Sequence, residues 1–190
     1  MYNLKIINST VRPSRKGPII TEWIAEVAHQ HSEFNVEVLD LAQINLPMMN
    51  EPAHPRLKQY EHEHTKQWSA KIEEADAFIF ITAEYDHSYP APLKNALEYL
   101  VQEWGYKAAG IVSYGGVSAG TRAATSLKTD LIALKVVPLF EAVNIPFFDQ
   151  FINDEAEFVP NESTQRAAQL MLTELVRWTK GMLVIRGKEI

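Results

Sequence analysis

The run Ala77-Phe78-Ile79-Phe80-Ile81, continued by Thr82-Ala83-Glu84-Tyr85-Asp86-His87-Ser88-Tyr89-Pro90-Ala91-Pro92-Leu93-Lys94-Asn95, decides the architecture. Its first five residues are apolar on both faces of an extended chain. A strand of that kind belongs in the middle of a parallel sheet with helices covering each side. Two prolines then preset the first turn of a helix, in which Leu93, Ala96, Leu97, Leu100, Val101 and Trp104 recur at helical spacing.

The same alternation runs outward in both directions. Leu4-Lys5-Ile6-Ile7, Val36-Glu37-Val38-Leu39 and Ala108-Ala109-Gly110-Ile111-Val112 read as further strands, with Val136-Val137-Pro138-Leu139 as a shorter fifth. Between them lie helical stripes: Ile20, Trp23, Ile24, Val27 and Ala28; then Leu57, Tyr60, His64, Trp68, Ile72 and Ala75; then Ala124, Leu127, Leu131 and Leu134; and finally Ala168, Leu172, Leu175 and Val176. Strands alternating with helices predict right-handed βαβ units. The expected fold class is α/β: a three-layer, doubly wound, flavodoxin-like, five-stranded parallel sheet in the order 2-1-3-4-5, with residues 1–190 forming one domain. Ligands of such sheets bind outside the carboxyl ends of the strands, so function is sought in the loops after strands 1, 3 and 4.

Composition narrows the chemistry. The chain has 190 residues, 18 Lys+Arg and 24 Asp+Glu, a net charge of −6 and 46% hydrophobic positions. With no cysteine, disulfide exchange, Cys-ligated iron–sulfur clusters, zinc ribbons and cysteine nucleophiles are excluded, so any redox chemistry uses a borrowed cofactor. The acidic balance argues against general nucleic-acid binding. No apolar run approaches the roughly 20 residues that cross a bilayer, and the start lacks the features of a secretory signal, so no membrane partner and a cytoplasmic location are expected. The proline-rich residues 47–55 read as a long connection lying over a neighbour.

The first loop, Asn8-Ser9-Thr10-Val11-Arg12-Pro13-Ser14-Arg15-Lys16-Gly17, brings cations and hydroxyls to a helix N-terminus. Cations there oppose the helix dipole unless an anion is bound, so the loop points to phosphate; it also reads as a solvated N-terminal loop. The second loop, 82–95, offers backbone groups to the edge of a flat heteroaromatic ring and equally reads as a capped strand-to-helix turn. The third, Ser113-Tyr114-Gly115-Gly116-Val117-Ser118-Ala119-Gly120, lets backbone approach a ligand closely. Three such loops at one end of one sheet form a coherent site. His62 and His64 stand two apart, a spacing that points helical residues to opposite faces, so no metal site is expected. His87 is a candidate proton donor and otherwise a surface residue. Trp23, Trp68 and Trp104 read as core, and Trp178 as core or interface.

At these loops the sequence resembles the NADPH-dependent FMN reductase family, which includes quinone reductases and azoreductases. The family's Gly-Ser-x-Arg-x-Gly-Arg is matched by Ser9-Thr10-Val11-Arg12-Pro13-Ser14-Arg15. Its Pro-Glu-Tyr-Asn-x-Ser-x-Pro-x-x-Leu-Lys-Asn-Ala is matched by residues 83–96, and its Ser-Tyr-Gly-Gly by residues 113–116. The likeness spans roughly residues 6–138. It implies that Thr10, Arg12 and Arg15, helped by Ser14 and Lys16, hold the FMN phosphate, that Glu84, Tyr85 and Asp86 line the isoalloxazine, and that Ser113, Tyr114, Gly115 and Gly116 close its pyrimidine side. It also implies NADPH or NADH as co-substrate, a quinone, azo compound or flavin as small-molecule acceptor, and a homodimer to which residues 47–55 and the Tyr60/Trp68 helix contribute. No side chain is assigned as catalytic.

The sequence departs from the family pattern at Ser9, Ser14, Ala83 and Asp86. A carboxylate at 86 cannot donate a hydrogen bond and disfavours an anionic reduced flavin, which predicts a lowered flavin potential or weaker FMN binding. A flavodoxin-type electron carrier, a flavin-binding sensor and a flavin-free enzyme of a phosphorylated metabolite are the alternative readings. The basic first loop and the modest net charge favour the reductase. The apolar, irregular residues 145–160 read as a cover for the sheet edge or as part of an acceptor pocket.

Overall fold

In the computed structural model, which describes residues 1–188, five strands form one sheet: β1 (Tyr2–Asn8), β2 (Phe34–Asp40), β3 (Ala77–Ala83), β4 (Ala108–Gly115) and β5 (Val137–Pro146). All pairings are parallel and the order is 2-1-3-4-5, as the alternation of strand and helix predicts. The helices are α1 (Gly17–His29), α2 (Leu41–Ile44), α3 (Glu63–Glu74), α4 (Ala91–Glu98), α5 (Thr121–Ala133) and α6 (Glu162–Ile185).

β3 shows why the sheet must be central. Ala77, Ile79 and Ile81 point into a core shared with α1 and α6, while Phe78 and Phe80 point into a second core under α3, α4 and α5. Every residue of the strand is buried, and full burial of each large side chain contributes about 1.5–3 kcal/mol. Trp104 packs on Phe78 and Phe80 with ring centroids 5.1 and 6.2 Å apart. Trp23 and Trp68 are also buried, whereas Trp178 is 41% exposed. At Gly110 an added Cβ would lie 2.8 Å from Met171 Sδ, so the missing side chain is what lets α6 lie close to β4.

Several elements differ from the sequence reading. β5 runs on to Pro146, so Ile145 and Pro146 are strand residues paired with Tyr114 and Gly115. The ladder is broken midway: Pro138 faces Ala109 and Ala142 faces Ile111, and the extra residues bulge at the sheet edge with Phe140 92% exposed. α3 begins only at Glu63; Leu57 lies in a 3₁₀ turn and is exposed, and Tyr60 precedes the helix. α4 stops at Glu98, and Leu100 and Trp104 are buried from the following turns. The apolar stripe in both places reflects burial beside a helix as well as within one. His62 is the N-cap of α3 and not a helical residue, so its ring stacks on that of His64 at 5.1 Å, and both contact Asn50.

Residues 47–55 lie over α4, as their length predicts. Asn95 Nδ2 donates to the Pro47 carbonyl at 2.7 Å and Asn95 Oδ1 accepts from Met49 N at 2.9 Å. Glu51 accepts from the amides of Glu61 and His62. Behind this strap the buried Glu103 accepts from Tyr60 Oη and Ser69 Oγ. Lys107, also buried, donates to the Ile72 and Glu73 carbonyls at the end of α3.

Candidate functional site

β1, β3 and β4 are adjacent, so the loops that leave their carboxyl ends meet above the sheet. The first loop turns tightly. Thr10 donates from both its amide and its hydroxyl to Asn8 Oδ1, at 3.4 and 3.2 Å. Gly17 fits against that pair: a Cβ there would lie 2.3 Å from Thr10 Oγ1 and 2.4 Å from Asn8 Oδ1. α1 then starts at an N-cap, Lys16, that makes no side-chain capping bond, and its first turn holds no acidic residue. The first turn offers few free amides, since Pro18 has no N–H and the Ile19 amide donates to the Lys16 carbonyl at 3.2 Å, so its positive dipole end and the loop's cations are what attract an anion. Nearby, Ser9 Oγ and Arg15 Nε are buried without a hydrogen-bond partner.

Arg15 is already engaged. Its terminal nitrogen donates to Asp40 Oδ2 at 2.5 Å, while Asp40 Oδ1 caps α2 through the Ala42 amide and accepts from Asn8 Nδ2. One carboxylate thus joins the first loop to the end of β2.

The second loop is a tight hairpin in which Tyr85 and Ser88 exchange both backbone hydrogen bonds at 2.8 Å. Asp86 and His87 form its two corners with φ of 48° and 65°. That pair of left-handed residues marks a type I′ turn, which favours Asn, Asp or Gly. Aspartate at 86 therefore satisfies a backbone requirement, whatever its effect on a flavin. Both corner side chains are exposed.

Glu84 is the opposite case, with its side chain only 7% exposed. Arg122 donates to Oε1 from Nε at 2.6 Å and from its terminal nitrogen at 2.5 Å. Oε2 accepts from Ser118 Oγ at 2.9 Å and from the Arg122 amide at 3.3 Å. Burial alone would raise the carboxyl's pKa, but the hydrogen bonds from Arg122 and Ser118 outweigh it and hold the group below the ordinary glutamate value. Glu84 therefore fastens the second loop to the third and to the start of α5.

The third loop is shaped by Gly120, whose φ of 75° and crowded surroundings admit no Cβ: one would lie 2.7 Å from the Tyr114 amide. Ser113 is buried, its hydroxyl 2.9 Å from both the Ala119 carbonyl and Asn144 Oδ1. Tyr114 is buried too, and burial pushes its phenol well above the ordinary value despite the neighbouring Thr10 hydroxyl, so it stays protonated.

Together the loops enclose a cavity of about 220 Å³. Arg12 and Lys16 come from the first loop, Glu84 and Tyr85 from the second, and Tyr114, Gly115 and Gly116 from the third. Arg12 lies over the Tyr85 ring, 6.0 Å from its centroid. Of the other residues singled out in the sequence, Thr10, Arg15 and Ser113 stand behind this wall, whereas Ser14 and Asp86 are exposed beside it. His87 is exposed and does not line it. Ala83 and Phe148 complete the lining; neither was singled out as a site residue, although Ala83 stands in the second motif and Phe148 in the segment 145–160 read as a sheet-edge cover or part of an acceptor pocket. The signal for Phe148 was its place in an apolar run after the last strand, where no polar pattern marked a site.

Four larger cavities lie elsewhere, two of them, of about 270 and 240 Å³, beside α2. One of about 580 Å³ opens beside Tyr106 and Lys135 at the amino end of the sheet, and one of about 530 Å³ lies between α2 and α3. None of the four is lined by all three of the loops after β1, β3 and β4, where a doubly wound sheet binds its ligand. Among the described residues no helix is long and apolar enough to cross a membrane, and no group of three or more His, Asp or Glu side chains is placed to hold a metal ion.

The sequence and the fold both have counterparts among known proteins. The family model for NADPH-dependent FMN reductases matches residues 3–150. An NAD(P)H-dependent FMN reductase of Schizosaccharomyces pombe is 39% identical over 145 residues, which cover 74% of this chain and 72% of that protein. An FMN-dependent NADPH-azoreductase of Staphylococcus saprophyticus is 24% identical over 92% of this chain and 94% of its own. Among solved structures, the flavoenzyme NAD(P)H:(acceptor) oxidoreductase of Paracoccus denitrificans superposes with a TM-score of 0.78 at 22% identity, covering 96% of this chain and 99% of that one.

Proposed function

The chain belongs to the NADPH-dependent FMN reductase family, and from that premise we propose which of its residues hold the cofactor and what kind of acceptor it reduces. It is an FMN-dependent NAD(P)H oxidoreductase with FMN as cofactor and NAD(P)H as co-substrate. The observation that carries the site assignment is the cavity in which Arg12 and Lys16 face Tyr85, Gly115 and Gly116 across the carboxyl ends of β1, β3 and β4.

The residues present fit the flavin. An uncapped α1 N-terminus, two cations at the cavity and the buried, unpartnered Ser9 Oγ and Arg15 Nε are groups that a phosphate completes. In this reading Arg12 and Lys16 bind the phosphate with the hydroxyls of Thr10 and Ser14, and Arg15 adds its charge from its seat on Asp40. The backbone of Glu84, Tyr85 and Asp86 meets the edge of the flat ring. The glycine amides at 115 and 116 face the pyrimidine side, where negative charge develops. Tyr114 and Ser113 fix that loop from below. FMN held there would supply the redox chemistry, two-electron transfer between NAD(P)H and the acceptor. The protein's part is to hold two rings face to face, for which positioning suffices. Solvent supplies the acceptor's protons, so no side chain serves as general acid.

The acceptor class is a quinone, an azo compound or a free flavin, the classes named for relatives that include an NAD(P)H:quinone oxidoreductase of Solanum tuberosum. The working unit is a homodimer of single-domain subunits spanning residues 1–190. Trp68 is buried within the subunit and takes no part in the interface, which leaves the strap around the exposed Met48 as the contributing element. Dependence on NAD(P)H fits a cytoplasmic location. Size-exclusion chromatography with light scattering tests the dimer: a mass near 43 kDa, about twice the subunit's 21.6 kDa, is expected, and a monomeric mass refutes it.

The site assignment is tested by the visible spectrum of purified protein titrated with FMN and then reduced anaerobically with NADPH. A flavin band that sharpens on binding and bleaches with NADPH is expected, with Arg12→Ala and Lys16→Ala weakening binding. Unchanged FMN affinity in both variants would refute the phosphate assignment.

A further inference from the structure

We propose that Phe147 and Phe148 form an aromatic wall that selects flat, apolar electron acceptors, with Phe147 as a specificity-determining residue. This rests on the flavin-reductase reading above and deepens it by assigning the acceptor's binding surface.

The chain leaves β5 at Pro146 and reverses at Phe147, which has φ of 45° and ψ of 48° before the 3₁₀ turn Phe148–Phe151. That left-handed conformation is easy for glycine and unfavourable for a residue with a Cβ. The turn is tied to the site, because the Phe147 amide donates to the Gly116 carbonyl at 3.2 Å. Its consequence is to aim Phe148 back into the cavity wall, where its ring meets that of Tyr114 edge-on with centroids 4.9 Å apart.

Neither of the usual reasons for a phenylalanine applies at 147. The backbone there would be better served by glycine, and the side chain is 51% exposed and so adds little to the core. A strained, half-exposed aromatic residue beside a binding cavity is accounted for by a ligand that covers it. The surroundings define that ligand. Val117, next to Gly116, is 80% exposed, and Tyr85 on the facing loop is 37% exposed. Tyr85 lines the cavity, and Phe147 and Val117 stand next in the chain to its lining residues Phe148 and Gly116, while its cations, Arg12 and Lys16, come from the first loop. A flat aromatic acceptor buries this lip and stacks on it; a small hydrophilic oxidant gains nothing from it.

The test uses FMN-loaded protein with NADPH in excess and compares 1,4-naphthoquinone with ferricyanide. Phe147→Ala removes the ring and keeps the strained backbone; Phe147→Gly removes both. In each variant KM for naphthoquinone is expected to rise about tenfold with kcat retained, the loss that about 1.4 kcal/mol of ring contact corresponds to. KM for ferricyanide is expected to change less than about twofold, since ferricyanide makes no such contact. Unchanged naphthoquinone KM, or equal losses with both acceptors, would overturn the inference while leaving the reductase reading intact. A wild-type protein that binds no FMN would overturn both.

Discussion

Replacing Glu84 by glutamine keeps the shape of the side chain and removes the charge that joins two loops of the site. The amide oxygen can still accept from Arg122. The amide nitrogen must now sit where Oε2 accepts from Ser118 Oγ and the Arg122 amide, which sets a donor against the backbone N–H. Hydrogen bonds to a charged group contribute about 1.5–3 kcal/mol each. Arg122 is 48% exposed and recovers water when released, so the net loss is about 2 kcal/mol, or a Tm lower by roughly 4–8 °C for a chain of this size. The pH dependence gives the sharper test. Because the folded state holds the Glu84 pKa below its unfolded value of about 4.3, its contribution is fully present above that pH and disappears as pH falls through the folded pKa. Urea unfolding of wild type and Glu84→Gln from pH 7 down to pH 3 should therefore show a gap of about 2 kcal/mol that closes below about pH 4. A gap under about 0.5 kcal/mol at pH 7, or one that persists unchanged at pH 3, would refute the clamp.

Three other substitutions probe separate parts of the molecule. Gly17→Ala forces a Cβ against Thr10 and Asn8 and should weaken FMN binding at least about tenfold in fluorescence titration; an unaltered Kd would mean the first loop is not the phosphate site. Asp40→Asn keeps a good cap for α2 but frees Arg15 from its counter-charge, so FMN should bind about threefold to tenfold tighter at low salt, and weaker binding would be inconsistent with competition for Arg15. Burial, assisted by the nearby Arg186 charge, brings the Lys107 pKa down to about 7. The unfolded chain then binds more protons between about pH 7 and 10, so folding stability should rise across that window, and the rise should be missing from Lys107→Met. Identical pH slopes in the two proteins would contradict this.

The parts of the fold that were readable from sequence are those where burial and local periodicity coincide. Residues 77–83 are apolar on both faces because two cores claim them, and that pattern has one interpretation. β5 was harder: as an edge strand it alternates buried and exposed positions irregularly, carries Pro138 and Pro146, and bulges around Phe140. His62 was misread because helical geometry does not apply to an N-cap. In the site, the loops were legible from their position after strands 1, 3 and 4. What each side chain does there depends on partners distant in sequence: Glu84 finds Arg122, and Arg15 finds Asp40. No spacing rule announces such pairs, and nothing polar marks Phe148.

The cavity draws its lining from Arg12 at one end of the fold to Phe148 at the other, which sets an order on how the protein matures. During synthesis from the amino end, the β1–α1–β2 unit and its phosphate loop exist first. β3 must then pair on the far side of β1, and the glycine loop and the Phe148 wall arrive only with β4 and β5. Long-range pairings of this kind are slow to form. A complete flavin cavity thus waits for β4 and β5, and α6, which packs on both, follows them in the chain. Because a ligand that binds only the finished structure draws the population toward it, bound flavin should stabilise the assembled fold against unfolding.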